Sequence, residues 1–330
     1  MIITRERLID LGRREAIERG ERQHLAAAYL VGSVATGEPL FAGCADIDVV
    51  LIHNLSPVRS REIVQLSADV HLDLHHRARA DFEAPRQLRT DPELGPALCH
   101  SLRLYDPEHF FDWVQASACA QFSHASNRLE RARSFLIRAR AAQRELAGQD
   151  AWQAALAGAA VDGANAAATL AGSPVSGRRL VPLLRVRFDA IDRLDLFAGF
   201  LRLFDADQTA GWDLPLWISQ WAKAYDLTLD RADGQPRAAV RRDYYLRAFQ
   251  SLAEDGMAEA VVVPLVLTWP SLPEDDAPEP AVAESLAARE SLFRASGLNG
   301  QNQAERWAQL DSFLDQVELF LEEWGNDHGA

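Results

Sequence analysis

The sequence predicts an α+β protein, in which a small mixed-sheet domain precedes a mainly α-helical bundle. Three short apolar runs typical of strands lie near the N-terminus, at 27–31, 47–52 and 70–75. After about residue 105 the chain changes to long segments rich in Ala, Leu and Arg, which favour helices. We therefore predict an N-terminal domain over residues 1–105 and an α-helical domain over residues 106–330.

The N-terminal domain is predicted to run in the order helix, strand, loop, strand, helix, strand. Its first 25 residues place Leu8, Leu11 and Ile17 among many charged residues, a pattern that indicates an amphipathic helix. The stretch 57–68 has Ile63 and Leu66 at helix-like spacing, which predicts a helix between the second and third strands. This order implies a small sheet with helical cover.

The helical domain is predicted to begin with a helix that opens at Asp106-Pro107, with the proline in its first turn, and runs through Phe110 and Val114. Apolar periodicity then predicts helices at 126–146, 151–170, 178–191 and 304–324. The stretch 269–280 combines four prolines with four acidic residues, so it is predicted to be an exposed loop.

Charge excludes some classes of function. The net charge is −14 and Lys223 is the only lysine, which argues against a nucleic-acid partner bound through a basic face. A P-loop ATPase needs Ser or Thr directly after its lysine, but Ala224 follows Lys223. Both classes are therefore disfavoured.

The compartment is predicted from what the sequence lacks. No window approaches the roughly 18 uncharged apolar residues of a transmembrane helix, and the N-terminus has no secretory apolar core. We therefore expect a cytoplasmic protein without a membrane partner.

Cys44, Cys99 and Cys119 show no CxxC spacing, so three free thiols are expected rather than a disulfide or a thiolate zinc site.

Three carboxylates lie within the apolar runs. Asp46 and Asp48 are two residues apart on a predicted strand, so their side chains emerge on the same face. They repel one another unless a cation lies between them, and Mg²⁺ prefers oxygen ligands. Asp73 alternates with apolar residues in the next run. If that strand neighbours the second, Asp73 can complete a two-metal clamp and accept a proton from an attacking hydroxyl.

A glycine and a serine follow the first predicted strand. Gly32 lets backbone N–H groups approach phosphate oxygens closely, and the hydroxyl of Ser33 can donate a further hydrogen bond. The pair thus predicts a phosphate-binding turn that leads into a loop.

The order of these motifs resembles the nucleotidyltransferase superfamily of the DNA polymerase beta-like fold, including small-molecule members such as kanamycin nucleotidyltransferase and streptomycin adenylyltransferase. The match covers residues 27–75. The resemblance implies that Gly32 and Ser33 hold a triphosphate, that Asp46 and Asp48 bind two Mg²⁺ ions, and that Asp73 is a metal ligand and candidate base. It also implies transfer of a nucleoside monophosphate, with ATP as the expected donor, to the hydroxyl of a small molecule with release of pyrophosphate.

The helical domain offers weaker candidates. Small-molecule members of this superfamily pair the catalytic domain with a helical bundle, and their active site lies between the two. By this resemblance Arg128, Asn165 and Arg178 are expected to bind triphosphate or substrate, with Arg131 and Arg179 as further candidates. Core packing is the favoured explanation for a group of aromatic residues that could instead line an acceptor pocket: Trp212, Trp217, Trp221, Tyr244 and Tyr245.

Two alternatives stay open at this point. The same fold could serve as a nucleotide-binding module or as an antitoxin-like regulator that adenylylates a protein target. Separately, His71, His75 and His76 beside Asp73 are compatible with a mononuclear metal hydrolase. The sequence does not identify the acceptor, for which an aminoglycoside-like molecule is one candidate.

Overall fold

The computed structural model describes residues 3–38, 40–146, 152–209, 211–229, 239–270 and 279–330. It forms an α+β protein, as predicted, with a five-stranded mixed sheet followed by helices. The chain divides into two compact units, residues 1–127 and residues 128–330. The first unit is the one that carries the three predicted carboxylates.

The elements of the first unit are α1 Arg5–Gln23, β1 Leu25–Val31, α2 Gly32–Thr36, β2 Ala45–His53, β3 Arg61–Gln65, β4 Val70–Ala78, α3 Leu94–Cys99, β5 Leu102–Tyr105 and α4 Phe110–Cys119. The strands lie in the order β3-β4-β2-β1-β5. Strands β2 and β4 are parallel, and the other neighbouring pairs are antiparallel. The three predicted strands are confirmed.

The two faces of the sheet bury different cores, because side chains alternate along each strand. One face, which includes Ile47, Val49, Leu72 and Leu74, packs with Leu8 and Ala16 of α1. Helix α1 lies close to the sheet at its glycines, since a Cβ on Gly20 would come within 2.7 Å of the Tyr105 ring. On the opposite face, Tyr29, Val50 and Ile52 pack with Phe111 and Val114 of α4. The aspartates of β2 belong to this second face.

Three elements differ from the prediction. The predicted helix at 57–68 is wrong, because β3 pairs there antiparallel to β4, with Ile63 opposite Asp73. The spacing of Ile63 and Leu66 fits a helix as well as a strand, and pairing with β4 decides the outcome. Strand β5 was not predicted, and the turn expected after Gly32 is the short helix α2.

A disulfide joins α3 to α4. The prediction of three free thiols is wrong for Cys99 and Cys119, whose Cα atoms lie 5.4 Å apart, whereas Cys44 is a buried free thiol. Each of the two bonded residues is the last of its helix, so their proximity arises from helix packing and has no local sequence pattern.

Because α4 covers the second face of the sheet, the first unit extends beyond the predicted boundary at residue 105 to residue 127.

The second unit is helical, as predicted. Its helices are α5 Ala125–Leu146, α6 Trp152–Ala168, α7 Leu180–Asp189, α8 Leu194–Arg202, α9 Leu214–Asp226, α10 Ala239–Glu254, α11 Ala258–Thr268, α12 Glu279–Ala295 and α13 Gln303–His328. The first three residues of α5 belong to the first unit. Most of the loop predicted at 269–280 lies outside the described residues, and its last two residues begin α12. Among the described helices, none has the length and apolar character needed to cross a bilayer.

We predict that reduction of the Cys99–Cys119 disulfide destabilises the first unit by about 3 kcal/mol, because the bond closes a loop with a sequence separation of 20. Hydrogen exchange of the β1 and α4 amides, measured with and without dithiothreitol, checks this. The double variant Cys99→Ser/Cys119→Ser is the control and should resemble the reduced parent in either condition. Equal protection in the oxidised and reduced parent would show that helix packing alone holds α3 and α4 together.

Candidate functional site

The aspartates of β2 and β4 meet because these strands are parallel neighbours in register. Asp48 lies directly opposite Asp73, and Asp46 lies opposite His71. Asp73 is 1% exposed, whereas Asp46 and Asp48 are partly exposed. The second and third predicted strands are therefore neighbours, which is the condition for Asp73 to join the pair, and the carboxylates share one face of the sheet.

Three side chains at this position could hold a metal ion. Ligand atoms of Asp48, Asp73 and His75 all lie within 4.8 Å of one another. Two carboxylates and an imidazole suit a divalent cation whose remaining positions are filled by water or substrate oxygens. The group differs from the expected one, because His75 belongs to it and Asp46 does not. His75 follows Asp73 at the next position on the same strand face, and the sequence indicates it only as a ligand of the alternative metal hydrolase.

Gly32 lies directly against the Asp48 carboxylate. Its φ is +71°, and a Cβ at this position would lie 2.2 Å from Oδ2 of Asp48. Both the left-handed backbone and the close approach require glycine. Ser33 follows in α2, partly buried.

Helix α2 is held by the first helix of the chain. The guanidinium of Arg5 donates from Nε to the carbonyl of Val34 at 2.8 Å and from Nη2 to that of Ala35 at 2.6 Å. The turn predicted to bind phosphate is thus fixed beside the carboxylates.

Asp73 also has a partner that the sequence did not reveal. Nε of Arg61 donates to Oδ1 of Asp73 at 2.7 Å, and Nη2 donates to Oδ2 in a second short bond. His75 Nε2 lies 3.5 Å from the same Oδ1. Arg61 belongs to β3, within the stretch predicted to be a helix, so its approach to Asp73 could not be foreseen.

A second polar cluster lies on the α1 side of the same strands. His53 Nε2 and His76 Nδ1 are 2.8 Å apart, and Glu62 accepts two hydrogen bonds from Arg19. Burial lowers the pKa of His76 to about 4, and neighbouring His53 contributes to the shift. The bond from Arg19 lowers the pKa of Glu62. Both histidines are therefore neutral at pH 7.

The candidate residues of the helical unit have partners within that unit. Arg128 lies over the ring of Trp324 at 5.2 Å, and Arg178, which is 2% exposed, lies over Tyr244 at 3.6 Å. The Asn165 amide exchanges two hydrogen bonds with the Val175 backbone, at 2.8 and 3.0 Å.

Further residues singled out in this unit lie in its interior. Burial lowers the pKa of Arg131 to about 10. Trp217, Trp221 and Tyr245 are buried, in agreement with core packing. Binding by Arg128, Asn165 and Arg178 stays a prediction.

Another acidic group lies at the start of α4. Ligand atoms of Asp106, His109 and Asp112 also lie within 4.8 Å of one another. Asp106 accepts hydrogen bonds from the backbone N–H groups of Phe111 and Asp112, each at 3.0 Å, and Asp112 pairs with Arg103. Helix capping and ion pairing account for this group.

Comparison with known proteins adds no relative. No protein-family model matches the sequence, and no curated protein matches it.

We predict that Gly32→Ala destabilises the protein more than Gly43→Ala does. Gly43 has a similar φ of +69°, but a Cβ there would meet nothing within 4 Å. Both variants incur about 1–2 kcal/mol of backbone strain, and only Gly32→Ala adds the displacement of Asp48, at about 1–3 kcal/mol more. Urea unfolding of both variants measures the difference. Equal losses would mean that the Asp48 side chain moves aside without cost.

We predict that stability falls as the pH drops from 6.5 to about 4. Unfolded His76 has its ordinary pKa of 6.5 whereas the folded value is about 4, so across this window the unfolded chain takes up a proton that the folded chain excludes. The loss from this group is up to about 3 kcal/mol. His76→Gln should flatten the stability-versus-pH curve over this window, and the exposed control His124→Gln should not. Parallel curves for the parent and His76→Gln would contradict the assignment.

Proposed function

We propose that this protein is a metal-dependent nucleotidyltransferase that transfers a nucleoside monophosphate, with ATP as the donor, to a hydroxyl of a small molecule. The observation that carries the proposal is the register of β2 and β4, which sets Asp48 opposite Asp73 beside the Gly32-Ser33 turn. Two neighbouring carboxylates can bind divalent ions, and a turn that presents backbone N–H groups can bind phosphate oxygens. Phosphoryl transfer uses this combination.

The donor set fits a divalent ion. Asp48 and Asp73 would hold it, with Asp46 on the same strand face as the candidate ligand of a second ion. When bound, such ions neutralise the charge of the triphosphate. The turn at Gly32 and Ser33 would bind phosphate oxygens through backbone N–H groups and the serine hydroxyl.

The reaction is an in-line displacement at the α-phosphorus. The acceptor oxygen forms a bond to the α-phosphorus, the bond from that phosphorus to the oxygen bridging to the β-phosphate breaks, and pyrophosphate leaves. The hydroxyl proton passes to the carboxylate of Asp73, which lies at the buried side of the site and acts as the base. The chain's task is thus to orient the acceptor and the triphosphate around two fixed carboxylates.

A second candidate is a mononuclear metal hydrolase, which is favoured by one specific observation. His75 rather than Asp46 completes the group of ligand atoms within 4.8 Å. An imidazole ligand suits Zn²⁺ better than Mg²⁺. The two functions differ in the product, since a hydrolase releases free phosphate or carboxylate and transfers no nucleotide.

We predict that Asp48→Asn and Asp73→Asn each lower Mg²⁺-dependent nucleotide transfer at least about a hundredfold, because each removes a charge from the reacting site. Incubation of the protein with labelled ATP, Mg²⁺ and a cell extract, followed by mass spectrometry, detects the adenylylated product. Asp69→Asn is the control, since Asp69 precedes β4 and lies outside the group.

The remaining outcomes distinguish the candidates. Equal Mg-ATP binding in the parent and in Asp46→Asn/Asp48→Asn would refute the metal assignment. Label on a protein band would indicate a protein modifier, and nucleotide binding without transfer would indicate a binding module. Phosphate release that needs Zn²⁺ or Mn²⁺ and is lost in His75→Gln would instead support the hydrolase.

A further inference from the structure

Arg61 engages the same carboxylate oxygens that a metal ion would need. Its guanidinium donates from Nε to Oδ1 and from Nη2 to Oδ2 of Asp73, a two-pronged pairing that uses both oxygens. Ligand atoms of Asp48 and His75 lie within 4.8 Å of this carboxylate. A divalent ion bound by the group would therefore lie next to a guanidinium, and two cations at such a distance repel.

Of the two partners, Arg61 is the one that can move away. Its side chain is 42% exposed and extends from β3, the edge strand of the sheet, whereas the Asp73 side chain is 2% exposed on a strand paired on both sides. Strand pairing on both sides fixes the backbone of Asp73, whereas a rotamer change can take the guanidinium of Arg61 into solvent. Arginine side chains change rotamers readily at such exposure.

The neighbouring arginine of the same segment has a different partner. Arg59 lies 3.6 Å from Glu62, which pairs opposite Leu74 and belongs to the α1 side of the sheet. Its side chain is 64% exposed. Arg59 thus carries the same charge close in sequence without contacting Asp73.

We propose that Arg61 is an internal counter-cation that competes with the divalent ion for Asp73. The proposal rests on the proposed function. Without the ion, the guanidinium of Arg61 balances the charge of the buried Asp73 carboxylate. When the ion binds, the guanidinium leaves Asp73. The affinity for the ion therefore depends on how much more favourable the interaction of Asp73 with the ion is than its interaction with Arg61. Arg61 is a positioning residue that tunes metal affinity.

Titration of the full chain with Mn²⁺, followed by the electron paramagnetic resonance of the unbound ion at fixed ionic strength, tests the proposal. We expect Arg61→Gln to bind Mn²⁺ at least about tenfold more tightly than the parent, because the competing charge is gone. Arg61→Lys should fall between them, since one ammonium cannot engage both oxygens as a fork does. The matched control Arg59→Gln should stay within about twofold of the parent.

Thermal unfolding supplies a second measurement. Without metal, Arg61→Gln should melt below the parent, since the Asp73 carboxylate loses the two bonds from the guanidinium, and Mn²⁺ should raise its melting temperature more than that of the parent. If Arg61→Gln fails to fold without metal, the comparison of Arg61→Lys with the parent carries the same test.

The controls separate this proposal from the proposed function. Adding Asp48→Asn to the parent and to Arg61→Gln should abolish the Mn²⁺ binding in both. Mn²⁺ binding that does not depend on Asp48, or no binding, overturns the metal site and the proposed function with it. Asp48-dependent binding that is unchanged or weaker in Arg61→Gln overturns only the role of Arg61.

Discussion

The parallel, in-register pairing of β2 with β4 is the constraint on which the rest of the candidate site depends. It sets Asp48 opposite Asp73 on a face whose neighbouring positions are buried, and two carboxylates so placed repel unless positive charge lies between them. The apolar side chains of the same strands, among them Ile47 and Leu72, pack in the core against α1. A shift of one residue would expose that core, so the hydrophobic effect itself holds the carboxylates together.

Neighbouring residues adapt to this pair in different ways. Gly32 removes the side chain that would collide with Asp48 and supplies the left-handed backbone that starts α2. Arg5 fixes the other end of that short helix. Arg61 supplies positive charge from an edge strand, where its side chain can reach solvent. A carboxylate held on a buried strand is thus paired with a cation on a half-exposed side chain.

The predictable part of the site was the part encoded by local alternation. Asp46 and Asp48 interrupt an apolar strand two residues apart, so their common face follows from the period of two. Asp73 joins them only because β4 pairs with β2 in register. Arg61 could not be found this way, because the residues around Ile63 satisfy helical and strand spacing alike and only pairing with β4 decides. The Cys99–Cys119 bond and the unit boundary at residue 127 likewise arise from packing between distant elements. The candidate arginines of the helical unit carry no pattern that separates binding from ion pairing, so their role stays open.

The proposed function requires one ion to lie between β2 and β4. The most direct measurement is the anomalous scattering of crystals soaked in Mn²⁺, collected near the manganese absorption edge. We expect a peak within about 2.5 Å of carboxylate oxygens of Asp48 and Asp73, with Arg61 turned away from Asp73. A peak confined to the group of Asp106, His109 and Asp112, or no peak beside Asp48 at saturating Mn²⁺, would contradict it.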